Sequence, residues 1–271
     1  MNFIKTPLQK AETVIAQADA VLIGAGAGLS TAAGINYSGP DFEKAFADMI
    51  ARYGFTDLYT SSFYPFQSEE EKWAYWSRHI DYARFAPEGK PLYKHMLELV
   101  QGKEYFVITT NVDGQFAKAG FDPDKVFEVQ GDYGLMQCAT ACHPKRYSNE
   151  SLVKQMVAEQ KDCRIPSALV PRCPVCGGPM EINVRKDRYF VEDDRWHQQA
   201  ERYYAFLEET LGKKKLALLE YGVGFNTPTI IRYPFERMAA AYPDVTLIRI
   251  NKDYRECQTP GIWHFIGLES I

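Results

Sequence analysis

Ala20-Val21-Leu22-Ile23-Gly24-Ala25-Gly26-Ala27-Gly28-Leu29-Ser30 is the stretch on which the reading of the fold turns. Four apolar residues make a short buried strand. Three alternating glycines then form a turn, and a helix is expected from about Ser30, a good N-cap residue. Glycines let the backbone bend sharply and approach a ligand closely. The following helix start offers free N–H groups to a pyrophosphate. The same residues would also serve a plain strand-to-helix turn. A hydride-transfer enzyme is disfavoured. Such enzymes use G-x-G-x-x-G and an acid closing a second strand about 20 residues on; here an aromatic stretch occupies that place.

Outward from this turn, apolar strands alternate with helices. Leu8, Ala11, Ile15 and Ala18 recur at helical spacing before it. Tyr37 to Arg84 is dense in aromatics without strand alternation and reads as a helical insertion broken at Pro65. Leu92, Met96, Leu99 and Val100 mark the next helix. Tyr105–Ile108 is a strand ending at Thr109-Thr110-Asn111, and Val126–Val129 is another, ending at Gln130-Gly131. A charged helix over Asp194–Leu211 leads to the strand Leu216–Leu219, which ends at Gly222-Val223-Gly224. A helix near Pro234–Tyr242 precedes Val245–Ile250, the last clear strand, which ends at Asn251. This alternation predicts an α/β fold with a doubly wound parallel sheet, in which ligands bind at the carboxyl ends of strands.

The chain has 271 residues, 46 % hydrophobic and 24 % charged, enough for a sizeable core. Its net charge of −4 argues against binding nucleic acid by phosphate neutralisation. No apolar run approaches the ~18 residues that would span a membrane. The first twenty residues lack the apolar core of a signal peptide. A cytoplasmic location is the resulting expectation.

Five of the six cysteines fall between Cys138 and Cys176, while Cys257 stands apart and reads as a buried thiol. In a reducing compartment such clustering indicates a metal site before disulfides. Cys173-Pro-Val-Cys176-Gly-Gly is a knuckle that can grip Zn²⁺, and Cys138-Ala-Thr-Ala-Cys142 supplies a second pair. Four thiolates make a closed tetrahedral site, hence a structural zinc. Cys163 and His143 are left outside this set.

Thr110-Asn111-Val112-Asp113 and Gln130-Gly131-Asp132 place amides and acids at two strand ends. Each alone is ordinary turn chemistry. Together with the glycine turn they point to a ligand cleft.

In their order, these motifs resemble the sirtuins over nearly the whole chain. Gly24-Ala25-Gly26 with Ser30, Gly34-Ile35 and Pro40-Asp41-Phe42 is similar to the first sirtuin motif. Thr109-Thr110-Asn111-Val112-Asp113-Gly114 is similar to T-Q-N-x-D, and the cysteine pairs stand at the zinc module. Gly222-Val223-Gly224 lies at G-T-S, and Asn251 at the adenosine-binding Asn. The resemblance implies NAD in a cleft between a Rossmann-like domain (1–36, 89–135, 191–271) and a smaller module formed by a helical insertion (37–88) and a zinc-binding part (136–190). It implies that Gly24, Ala25, Gly26, Gly28, Ser30 and Thr110 meet the phosphate and nicotinamide side. Gly222, Val223, Gly224 and Asn251 would then hold the adenosine half. Asn111 would bind the nicotinamide ribose, and Asp113 the carboxamide.

The departures carry information. Sirtuin deacylases place a catalytic His before Gly where this chain has Gln130-Gly131, and the histidines at 79, 95, 143, 197 and 264 lie elsewhere. The arginine after Pro-Asp-Phe is Glu43, Asn36–Gly39 looks inserted, and Thr110 replaces the amide of T-Q-N. Glutamine does not titrate near neutrality and cannot be the base of deacylation. It can still orient a ribose or an acceptor, and nicotinamide loss needs only positioning and charge stabilisation. Asp132 is a substitute base only if it is more than a turn residue. The Gln for His, the G-A-G-A-G-L-S turn and the run Gly222–Arg232 resemble the microbial class M, or macrodomain-linked, sirtuins. That resemblance implies ADP-ribose transfer from NAD to a protein substrate, a small lipoyl-carrier protein related to the glycine-cleavage H protein. A lysine deacylase with a non-histidine base and a catalytically silent NAD or ADP-ribose sensor are the alternatives.

Overall fold

A computed structural model describes residues 6–257, 259 and 265–269. His264 and the first five residues of the N-terminal segment lie outside these. Helix α1 (Pro7–Gln17) starts at a capping box between Thr6 and Gln9 and buries Ala11 and Ile15. Strand β1 (Ala20–Ala25) follows, then α2 (Ala27–Ala32). The helix thus begins earlier than expected. Gly26 is its N-cap, and Ser30 lies within it, because the turn closes by backbone contact and needs no side-chain cap.

The aromatic stretch folds as α3 (Pro40–Ala45), α4 (Ala47–Tyr53), α5 (Leu58–Ser61) and α6 (Glu69–Ile80), with Pro65 in the break before α6. A π-helical turn, Asp81–Phe85, continues α6. Then come α7 (Pro91–Val100), β2 (Glu104–Thr109), α8 (Gln115–Lys118) and β3 (Val126–Glu128). Two residues separate β3 from strand β4 (Gly131–Cys138), so Gly131 opens a new strand instead of closing the old one. The remaining elements are β5 (Arg146–Ser148), α9 (Glu150–Glu159), β6 (Met180–Val184), α10 (Asp194–Thr210), β7 (Leu216–Tyr221), α11 (Arg232–Ala241), β8 (Val245–Ile250) and β9 (Phe265–Leu268). Strand β9 is an edge strand that the reading of the sequence did not include.

The large sheet runs β3-β2-β1-β7-β8-β9, with every neighbouring pair parallel. Counted within the sheet this is the order 3-2-1-4-5-6, the doubly wound arrangement whose crevice lies where the order reverses. Here that point is between β1 and β7. Both strands are buried on both faces, which is why they read as apolar runs without alternation. Each full side chain removed from water contributes roughly 1.5–3 kcal/mol. One core packs α1 and α7 on the sheet, and another packs α10 and α11 on its opposite face.

A small antiparallel sheet, β5-β4-β6, shares a third core with the helical insertion. Trp73, Phe42, Phe46, Tyr75 and Leu58 are buried there beside Tyr133 and Ile182. Among the described residues, no helix is long and apolar enough to cross a membrane.

Candidate functional site

A cavity of about 780 Å³ opens at the carboxyl ends of β1, β7 and β8, at the reversal point of the sheet. Its wall includes Gly28, Thr110, Gly222, Val223, Gly224 and Asn251, together with Phe225, Asp253 and Tyr254. The wall is built by two glycine turns pressed together. The Gly28 amide donates to the Gly222 carbonyl at 3.0 Å, and the Gly26 amide to that of Tyr221 at 2.9 Å. A Cβ on Gly28 would lie 2.8 Å from the Gly222 Cα, and one on Gly26 2.8 Å from the Val223 Cα. Gly222 itself has φ of +59°, which glycine adopts without strain.

Gly24, Ala25 and Gly26 sit behind this wall and are not among its lining residues. Gly24 lies within β1 against α11, where a Cβ would collide with Ile231 and Phe235. The Ala25 carbonyl accepts the Thr110 amide at 3.0 Å and so fixes the end of β2. Asn251 donates to the Val223 carbonyl at 3.0 Å and accepts the amides of Asp253 and Tyr254 at 3.1 and 3.0 Å. Its side chain therefore ties the loop after β7 to the segment after β8 as well as lining the cavity.

Beside the cavity, four side chains form a buried polar network. Ser30 Oγ donates to Asp113 Oδ2 at 2.5 Å and lies 3.2 Å from the Tyr93 hydroxyl. Asn111 Nδ2 donates to the Gly26 carbonyl at 3.0 Å and to the Tyr93 hydroxyl at 3.4 Å. Asp113 Oδ1 accepts the Gln115 amide at 3.1 Å. Burial raises the Asp113 carboxyl above its usual range, against the pull of the Ser30 hydrogen bond. The helix position of Ser30 is what aims its hydroxyl at Asp113.

Gln130 lies between β3 and β4, and its carbonyl accepts the Arg185 amide at 3.0 Å. Its buried Oε1 has no hydrogen-bond partner. Asp132 is gripped by Arg84 at 2.8 and 3.1 Å and accepts the Gly134 amide at 2.7 Å. Both of its oxygens are thus engaged, as in a structural turn. Nearby Glu128 is raised by burial, and the Asp132 charge adds to the shift. Among the described histidines, His79 is in the aromatic core, His143 is beside the cysteines, and His95 and His197 are exposed on α7 and α10. Glu43 is exposed on α3.

The four expected cysteines converge. Their sulfur atoms lie within 4.8 Å of one another, with Cys138 and Cys176 3.7 Å apart and Cys142 and Cys173 3.6 Å apart. This donor set fits a tetrahedral zinc ion. Cys163 is elsewhere, 3.5 Å from Asp48. His143 Nδ1 is 3.1 Å from Cys142 Sγ, while its Nε2 meets the Tyr147 hydroxyl at 2.8 Å.

A family profile described as Sir2 family matches residues 26–214, which hold Gly26 and Gly28 of the glycine turn, the polar network and the cysteine cluster. The chain belongs to the Sir2 family. A Staphylococcus aureus relative described as a protein ADP-ribosyltransferase is 41 % identical over 241 residues, covering 89 % of this chain and 76 % of the relative. A Fusarium oxysporum relative described as a probable bifunctional ADP-ribose hydrolase/ADP-ribosyltransferase is 32 % identical, covering 90 % of this chain and 42 % of its own length. Among solved structures, a mutant Sir2 homologue in complex with 2′-O-acetyl ADP ribose superposes with a TM-score of 0.60 at 18 % identity. That match covers 97 % of this chain and 90 % of the other.

Several residues of this Sir2 site had no signal in the motifs. Tyr93 bridges Ser30 and Asn111 from a helix whose apolar spacing hides its role. Arg84 reaches Asp132 from the π-helical turn. Phe225 and Tyr254 come together only through the fold, 5.0 Å apart.

Proposed function

We propose that this chain is an NAD-dependent protein ADP-ribosyltransferase. The observation that carries the reading is Gln130. It stands at the strand end where the resemblance puts a deacylase's histidine, and its buried Oε1 is free to accept a hydrogen bond from a bound molecule. The two relatives described as ADP-ribosyltransferases support the same activity.

The residues fit a dinucleotide. A cavity of about 780 Å³ at the reversal point of the sheet, walled in part by two glycine turns packed backbone to backbone, suits a phosphate-linked ligand. NAD supplies the glycosidic bond to nicotinamide, whose cleavage leaves a ribose carbon open to a nucleophile. Gly28 and the Gly222–Gly224 loop allow close backbone approach, and Asn251 holds the adenosine side. Asn111, oriented by Tyr93, presents its amide to the nicotinamide ribose. Asp113, held by Ser30, faces the carboxamide. Gln130 orients ribose or acceptor but removes no proton. An acceptor that is already ionised at neutral pH, such as a carboxylate, needs no base, which matches this equipment.

The acceptor we propose is a small lipoyl-carrier protein, and the setting is cytoplasmic. NAD would sit between the Rossmann-like part (1–36, 89–135, 191–271) and the module of 37–88 and 136–190.

The test is intact-protein mass spectrometry of host lysate incubated with the purified chain and labelled NAD, with Asn111→Ala as control. A lysate protein gaining ADP-ribose with the wild type alone is the expected result. Deacylated lysine with O-acyl-ADP-ribose would establish the deacylase instead. Binding of NAD without nicotinamide release, even with partner present, would establish a sensor.

A further inference from the structure

The run Gly222–Arg232 ends on a buried arginine that the proposed chemistry does not use. Arg232 is 1 % exposed, at the first position of α11. Its guanidinium lies 4.4 Å over the Phe225 ring, on the loop that follows β7. The same group reaches across to the segment after β8. It donates to the Tyr254 carbonyl at 3.1 and 3.2 Å and to the Glu256 carbonyl at 3.0 Å. Arg249, 0 % exposed, donates to the Glu256 carbonyl at 2.7 Å. Two buried carboxylates, Glu220 and Glu236, balance the two cations, with Arg249 at 2.6 and 2.9 Å from them.

Four buried charges are a poor device for stability, because desolvation consumes much of their attraction. They are a good device for fixing carbonyls at set positions. Arg232 holds one exposed aromatic residue by its carbonyl, Tyr254, and packs against the ring of another, Phe225. Phe225 and Tyr254 stand edge to face at the cavity, 37 % and 48 % exposed, one from each segment. Exposed aromatic faces at a nucleotide cavity are stacking platforms for a base.

We propose that Arg232 is a positioning residue for the purine end of the ligand. It joins the Gly222–Ile231 loop to the Asn251–Cys257 segment and sets the Phe225 and Tyr254 rings where a base can rest against them. This rests on the nucleotide reading of the cavity. Asn251, which ties Val223 to Asp253 and Tyr254, closes the same joint from the other side.

Arg232→Lys tests it, because an ammonium keeps the charge but lacks the planar fork that spans several carbonyls. ADP-ribose is the probe, titrated by calorimetry. Its affinity should fall about tenfold, the scale of lost hydrogen bonds to a charged group. KM for NAD should rise by a similar factor, with a much smaller change in kcat. Inhibition by free nicotinamide, which lacks the purine, should not move. Tyr254→Ala should give the same pattern from an exposed position that leaves the core intact. The double variant should be no weaker than the worse single one. Arg232→Lys binding ADP-ribose as tightly as the wild type would overturn the proposal. So would equal losses in kcat and nicotinamide inhibition, the mark of a general structural fault. If Arg232→Lys fails to fold, unchanged affinity in Tyr254→Ala overturns it. A wild-type chain that binds no ADP-ribose would instead remove the nucleotide reading itself.

Discussion

His79 is wholly buried between Trp76, Tyr75 and Tyr133. The Tyr75 hydroxyl donates to the Leu58 carbonyl at 2.7 Å, so His79 Nδ1, 3.0 Å away, is the donor to it. Nε2 is left bare and unpartnered. Burial pushes this imidazole down to about 3. In the unfolded chain it titrates near 6.5. Between those values the unfolded state binds the extra proton, so stability falls as pH falls below about 6.5. The slope is at most about 1.4 kcal/mol per pH unit. Denaturant unfolding at pH 7, 6 and 5 should show this loss, and His79→Phe, which keeps the stack on Trp76, should flatten it. An identical slope in the variant would assign the acid sensitivity elsewhere. At this scale the sequence was legible where short spacing itself pairs the groups, as in Cys138 with Cys142 and Cys173 with Cys176, whose sulfur atoms converge. It was silent where the partner is remote. Tyr93 meets Ser30 across 63 residues, and Arg84 meets Asp132 across 48, so no spacing rule reports them.

The turn from β1 into α2 was foreseen as glycine for ligand approach, yet its tightest contacts are with another turn. Gly28 and Gly222 touch backbone to backbone, and each occupies the space the other's side chain would need. Gly28→Ala would put a Cβ 2.8 Å from the Gly222 Cα, where no side chain can yield. It should cost about 1–3 kcal/mol in thermal unfolding and weaken ADP-ribose binding. Gly224→Ala meets nothing within 4 Å and should leave stability within about 0.5 kcal/mol. Equal stability of the two variants would show that the turns separate easily. Elements with strong apolar runs were placed well from sequence. The errors fell where tertiary contact decides: the start of α2, the split between β3 and β4, and the short edge strand β9.

Strand β4 links the two regions of the molecule. Its first residue, Gly131, follows Gln130, and its last, Cys138, is a sulfur ligand of the proposed zinc. Metal removal should therefore disturb the site as well as the small sheet. The purified chain should carry about one zinc ion. A strong chelator, or Cys173→Ser with Cys176→Ser, should lower the unfolding temperature and abolish nicotinamide release together. A metal-free double variant with wild-type unfolding would deny the metal a structural part. The large sheet has another consequence, for the order of assembly. Ala20 pairs on one side with Glu104 and on the other with Leu216, so the central strand gains its second neighbour only when the last quarter of the chain arrives. On the ribosome, β1, β2 and β3 can meet early, but the wall between β1 and β7 cannot exist until then. Until β7 is made, β1 lacks its neighbour on that edge, and such non-local pairings are the kind that slow folding. The cavity wall thus depends on a strand made almost 200 residues after the turn it packs against.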